Sequence, residues 1–173
     1  MVEERRMSWF EKSVFGVLGF SVLAVGSYVN FWLRDCPAPS GGIYVYPVNP
    51  SFLDKKLLDY IAMDIKSSFD KYHLAAGVNV NLDNIKQSIE IIKNSGINFE
   101  FRTTVVPGLV GKEEINSIGK SLKGTKKYTI QNFRPVDTMI DKKLINISPY
   151  SKEELQEMKK IAEKYFDEVE VKT

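Results

Sequence analysis

Three short runs between Asp59 and Pro135 alternate apolar and polar positions with a period of two, the pattern of a β-strand. In Tyr60–Lys66, Ile61, Met63 and Ile65 share one face, and Tyr60, Ala62, Asp64 and Lys66 share the other. In Phe99–Val106, Phe99, Phe101, Thr103 and Val105 oppose Glu100, Arg102, Thr104 and Val106. In Tyr128–Phe133, Tyr128, Ile130 and Asn132 alternate with Thr129, Gln131 and Phe133. Strands joined by helices are usually buried on both faces and read as apolar throughout. A face carrying Asp64, Lys66, Glu100, Arg102 and Gln131 therefore points to a lined site.

Between these runs the period changes to that of a helix. Asp83 is the expected N-cap of a helix carrying Ile85, Ile89 and Ile92, with Gly96 just past its end. Ile115, Ile118 and Leu122 mark a second helix, stopped near Gly124. After a loop over Arg134–Pro149, Ser151 and Glu154 form a capping box. Leu155, Met158, Ile161, Ala162 and Tyr165 stripe the helix that follows, and Glu168–Lys172 is a last strand. Ser51–Leu58 reads as a short helical run before the first strand. Strands separated by helices predict crossovers and a parallel sheet, with ligands at the carboxyl ends of the strands. Asp64, Lys66 and the Pro107–Gly108 turn fall at those ends.

The N-terminal part follows a different pattern. From Ser13 to Leu33 there is no charged residue. Roughly 20 apolar residues suffice to cross a bilayer, and Arg5, Arg6 and Lys12 precede the run. Glu3, Glu4 and Glu11 dilute that basic flank, and Ser21, Ser27 and Asn30 interrupt the apolar stretch. A transmembrane anchor, a cleaved signal peptide and a buried or non-native segment all stay open. Pro37, Pro39, Ser40, Gly41 and Gly42 then form a linker-like break. The expected organisation is an apolar segment with linker over 1–46 and an α/β unit over 47–173.

Composition narrows the chemistry. The formal net charge of the 173 residues is +2, which gives no electrostatic case for nucleic-acid binding. Cys36 is the one cysteine, so the sequence holds no internal disulfide and no cluster or zinc site built from its own thiolates. His73 is the one histidine and stands in no metal-ligand pattern. Tyr72 and Tyr150 read as packing residues, and Lys126 and Lys127 as solvated. Asp64 with Lys66, and Glu100 with Arg102, each have a plain reading as a structural ion pair.

The runs DYIAMDIK, EFRTTVVPG and IQNFRP resemble the activating proteins of anaerobic ribonucleoside-triphosphate reductase. These are relatives of pyruvate formate-lyase activating enzyme in the radical S-adenosylmethionine superfamily. The resemblance covers about Asn49 to Thr173, the second half of a typical member. It implies an incomplete (βα) barrel of about three βα units, part of a partial TIM barrel, here preceded by an apolar N-terminal helix. It also implies S-adenosylmethionine and a 4Fe-4S cluster as cofactors, and a glycyl-radical enzyme such as anaerobic ribonucleotide reductase as partner. The implied location is cytoplasmic, or membrane-anchored if residues 13–33 span a bilayer.

On the same resemblance Asp64 and Lys66 match a D-x-K motif near the methionine end of the cofactor. Arg102 matches an arginine that approaches its charged groups, and Val105, Val106 and Pro107 match the apolar turn beside the nucleoside. Gln131 and Arg134 match the substrate mouth. The sequence departs from the family in lacking CxxxCxxC and the G-G-E-P motif, so the first three βα units are expected to be missing or replaced. The resemblance thus implies a truncated or divergent activase, with no catalytic residue or metal ligand assigned in this chain. A non-catalytic, membrane-tethered interaction module and the product of a disrupted gene are the alternatives.

Overall fold

The computed structural model describes residues 22–24, 60–77, 79–136 and 142–173. Its five strands are β1 (Val22–Ala24), β2 (Tyr60–Asp64), β3 (Asn98–Val105), β4 (Lys127–Asn132) and β5 (Glu168–Lys172). The α-helices are α1 (Tyr72–Ala76), α2 (Leu82–Lys93), α3 (Lys112–Ser121) and α4 (Lys152–Ala162), with 3-10 turns at Phe69–Lys71 and Lys142–Asn146. The sheet order is β1-β2-β3-β4-β5. The pairs β2–β3, β3–β4 and β4–β5 are parallel. This is the α/β arrangement the alternating runs predict, and it is consistent with a partial βα barrel.

One correction concerns the N-terminal segment. Of the expected apolar helix over 13–33, the described residues are Val22–Ala24, and these form a strand. They pair antiparallel with Met63, Ala62 and Ile61 on the outer edge of β2. The edge amides and carbonyls of β2 take up this segment because an unpaired strand edge is a ready template. Among the described residues no helix is long and apolar enough to cross a membrane. The remainder of 13–33, the linker and the helical run at Ser51–Leu58 lie outside the described residues.

The apolar alternation forms the core on one side of the sheet. Ile61, Met63, Phe101, Val105, Tyr128 and Ile130 pack with Ile85, Ile89 and Ile92 of α2, Ile115 and Ile118 of α3, and Leu155 and Met158 of α4. Burying each such side chain contributes about 1.5–3 kcal/mol, so this layer is the main source of stability. Tyr128 stacks on Phe166 with ring centroids 4.5 Å apart. The capping box at Ser151–Glu154 forms as expected. The N-cap of α2 is two residues earlier than the sequence reading: it is Asn81, whose Oδ1 accepts from the Asp83 amide. Asn81 and Asp83 are both capable caps, and the helix starts at Leu82 because that side chain packs against the core.

Candidate functional site

Because side chains alternate, the same strands turn their other face away from α1–α4. Asp64 and Arg102 are register partners on β2 and β3, so both project from this polar face. Arg102 Nε and Nη2 both donate to Asp64 Oδ1, at 2.9 and 2.8 Å. Lys66 Nζ approaches the other carboxylate oxygen at 3.3 Å. One carboxylate thus sits between two cations, and the cluster carries a net positive charge. Arg102 is 6% exposed. Removing such a group from water is favourable only where it is fully paired or holds a ligand. Asp64 takes up Nε and Nη2, so the Nη1 edge of the guanidinium lies on the side away from Asp64.

Glu100 does not pair with Arg102. Its carboxylate accepts a 2.6 Å bond from the buried Thr129 hydroxyl on β4. Farther along the face, Lys127 Nζ lies 3.1 Å from Glu168 and 3.5 Å from Glu170, and Lys172 lies 3.8 Å from Glu170. Gln131, half-buried, stands between Thr104 and Lys172 in register. The face is therefore polar from β2 to β5.

The remaining expected site residues divide. Val106 and Pro107 are half-buried at the exit of β3, where the Val106 carbonyl accepts from Leu109 at 3.0 Å and Val110 at 2.8 Å. Gly108 takes φ 84°, the conformation that a Pro-Gly turn of this type requires and that glycine adopts without strain. Val105 is fully buried on the helix side, opposite Asp64 and Arg102. Its side chain therefore supports the core and does not line the polar face. Arg134 is exposed just beyond β4, where its guanidinium donates to the Thr173 carbonyl. Asp64–Lys66, Val106–Pro107 and Arg134 all fall at the carboxyl ends of parallel strands, and Gln131 lies one residue inside the end of β4. His73 is exposed on α1.

Beneath the site lies a polar set that strand and helix periodicity did not single out. Thr103 Oγ1 donates to the Ile65 carbonyl at 2.8 Å and accepts from Tyr128 Oη at 2.6 Å. The Lys66 amide donates to Tyr72 Oη at 3.3 Å. Burial pushes both phenols well above the usual tyrosine range, so they act as neutral hydrogen-bonding groups. The one sequence signal was Thr103 itself, a polar residue on the otherwise apolar face of β3. A second missed contact ties the loop after β2 to α3. Lys71 Nζ lies 2.6 Å from Glu114, whose carboxylate also accepts from the Gly111 amide at 2.8 Å. Burial pushes the Glu114 carboxyl up, but the Lys71 hydrogen bond and the Gly111 amide outweigh it and hold the group below its ordinary range.

The arrangement can bind an anionic or zwitterionic molecule at the carboxyl edge of the sheet. Among the described residues no group of His, Cys, Asp or Glu could hold a metal ion. No family model matches the chain. A relative by sequence does exist. The chain is similar to a protein of Methanocaldococcus jannaschii described as a "Putative glycyl-radical enzyme activating enzyme". The two are 35% identical over 125 residues, which is 70% of this chain and 52% of the relative. The chain thus spans about half the length of the curated relative it matches. This likeness supports the radical S-adenosylmethionine superfamily at the level of the activating enzymes, without distinguishing one type of activase from another.

Proposed function

We propose that residues 60–173 are the carboxyl-terminal part of a radical S-adenosylmethionine activating protein for a glycyl-radical enzyme, with the polar face of the sheet as its cofactor-facing wall. The observation that carries this reading is the Asp64–Arg102–Lys66 cluster at the strand ends. It stands where ligands bind in parallel α/β sheets, and the sequence relative is named as an activating enzyme.

The residues suit the charged groups of S-adenosylmethionine. Asp64 fixes the guanidinium of Arg102 through Nε and Nη2, which turns the Nη1 edge toward a carboxylate or hydroxyl. A planar fork of this kind suits a carboxylate better than a lysine would. Lys66 adds a second cation to the same wall, and Val106 and Pro107 offer an apolar ledge for a nucleoside at the next strand end. Gln131 and Arg134 face the mouth, toward the partner enzyme. When bound, S-adenosylmethionine would supply the radical chemistry that activates a glycine of the partner. This chain's residues would bind and orient the molecule and keep water from its charged end.

The residues do not fit an iron-sulfur cluster. Its three thiolates cannot come from a sequence whose one cysteine is Cys36. They would have to come from residues outside this sequence, so no electron-transfer step is assigned to it.

Titration calorimetry of S-adenosylmethionine into the full chain tests the reading. Saturable binding that weakens at least about tenfold in Arg102→Ala is expected, the scale of a lost charge-assisted hydrogen bond. No binding at millimolar cofactor would overturn it and leave only the likeness in sequence.

A further inference from the structure

We propose that Tyr72, Thr103 and Tyr128 are positioning residues that clamp the Ile65–Lys66 peptide and thereby aim Asp64 at Arg102 and Lys66 at Asp64. The chain leaves the sheet at this point. Its last backbone bond to β3 is from the Ile65 amide to the Arg102 carbonyl, at 2.7 Å. Side chains hold the next peptide group at both ends. Its carbonyl, on Ile65, accepts from Thr103 Oγ1 at 2.8 Å, and its N–H, on Lys66, donates to Tyr72 Oη at 3.3 Å. Tyr128 Oη donates to Thr103 Oγ1 at 2.6 Å, which commits the threonine hydrogen to Ile65.

The clamp draws on three separate elements: α1, β3 and β4. All three side chains are buried. A peptide plane is flanked by one soft dihedral on each side, so a strand end without such bonds can rotate. Here rotation would swing Asp64, one residue before the clamp, and Lys66, at the clamp. Buried hydroxyls on an apolar face are tolerated only when bonded, and each of these three is bonded to the site-bearing peptide or to the group that holds it. The clamp lies on the core side, and the charged cluster lies on the other. It therefore acts through the backbone of residues 64–66 and never touches a ligand.

This inference rests on the reading of Asp64 and Lys66 as ligand-facing, but its test does not need the ligand. The full 173-residue chain, labelled with nitrogen-15, is compared with Tyr72→Phe, Thr103→Val and the conservative Thr103→Ser. The readouts are hydrogen exchange of the Lys66 amide and of the Arg102 Nε–H bonded to Asp64. In Tyr72→Phe and Thr103→Val both protons are expected to exchange between about 2- and 10-fold faster, the range set by loss of one neutral hydrogen bond. Thr103→Ser should restore the wild-type rates. A purely structural role would lower the thermal midpoint while leaving the Arg102 Nε–H unchanged, and that result overturns the proposal. If Thr103→Val does not fold, Tyr72→Phe alone decides it. A wild-type chain that fails to bind S-adenosylmethionine, yet shows these exchange changes, would sink the proposed function and keep the clamp.

Discussion

Asp64 and Arg102 lie opposite each other on adjacent parallel strands, and both Nε and Nη2 of the arginine converge on one oxygen of the aspartate. The pair is nearly enclosed, with Arg102 the more buried partner. Breaking such a pair from one side leaves an uncompensated charge. Arg102→Ala is expected to lower stability by roughly 2–4 kcal/mol, toward the low end of the range for buried pairs because Asp64 keeps some contact with water. Urea denaturation measures it. A double-mutant cycle with Asp64→Asn should return a coupling energy on the order of 1–3 kcal/mol, the range for residues in direct contact.

The contact of α3 with the last helical turn sets a second expectation. A Cβ at Gly119 would lie 2.3 Å from Cδ2 of the Tyr165 ring. That ring is held by a 2.6 Å bond from Tyr165 Oη to Asn116. Alanine favours the helix by about 1 kcal/mol over glycine. Overpacking of about 1–3 kcal/mol should outweigh that gain. Gly119→Ala is therefore expected to be destabilised in chemical denaturation. In a Tyr165→Ala background the same change should become neutral or stabilising.

Glu114 makes stability depend on pH. Its carboxyl is held below the ordinary value of 4.5, by Lys71 and the Gly111 amide acting against burial. A depressed carboxyl contributes stability that is present above its unfolded value and is lost as pH falls through the folded one. Wild-type stability should drop below about pH 5 more steeply than that of Glu114→Gln, which has no proton to take up there. Thermal midpoints between about pH 3 and 7 give the comparison. Parallel slopes for the two proteins would show that the Lys71–Glu114 contact does not form.

Much of the fold was legible because the alternating runs are one-sided. Ile61, Met63 and Ile65 against Asp64 and Lys66 is a period-2 pattern that leaves little choice of face, and the parallel register then brings Asp64 to Arg102. The pairing of Glu100 was not legible. A spacing of two on one strand places Glu100 and Arg102 on the same face, but the cross-strand neighbours Thr129 and Asp64 are nearer. The side-chain clamp on the Ile65–Lys66 peptide was hidden for a related reason. Tyr72 reads as a packing residue and Tyr128 as one position on a strand face; both rings do pack, and only tertiary structure reveals where their hydroxyls point. Val105 shows the limit of carrying a motif across as a block. Val105, Val106 and Pro107 are consecutive, yet alternation sends Val105 into the core. The apolar run at 13–33 has no period to read, since an uncharged stretch has the same composition whether it becomes a helix or, as at Val22–Ala24, an edge strand.

Amide chemical-shift mapping with S-adenosylmethionine tests the cofactor-facing wall most directly. The perturbed residues should cluster at Asp64–Lys66, Arg102, Val106 and Gln131, while the buried stripe of Ile85, Ile89 and Ile92 stays still. Shifts confined to the helix side, or none at saturating cofactor, would contradict it.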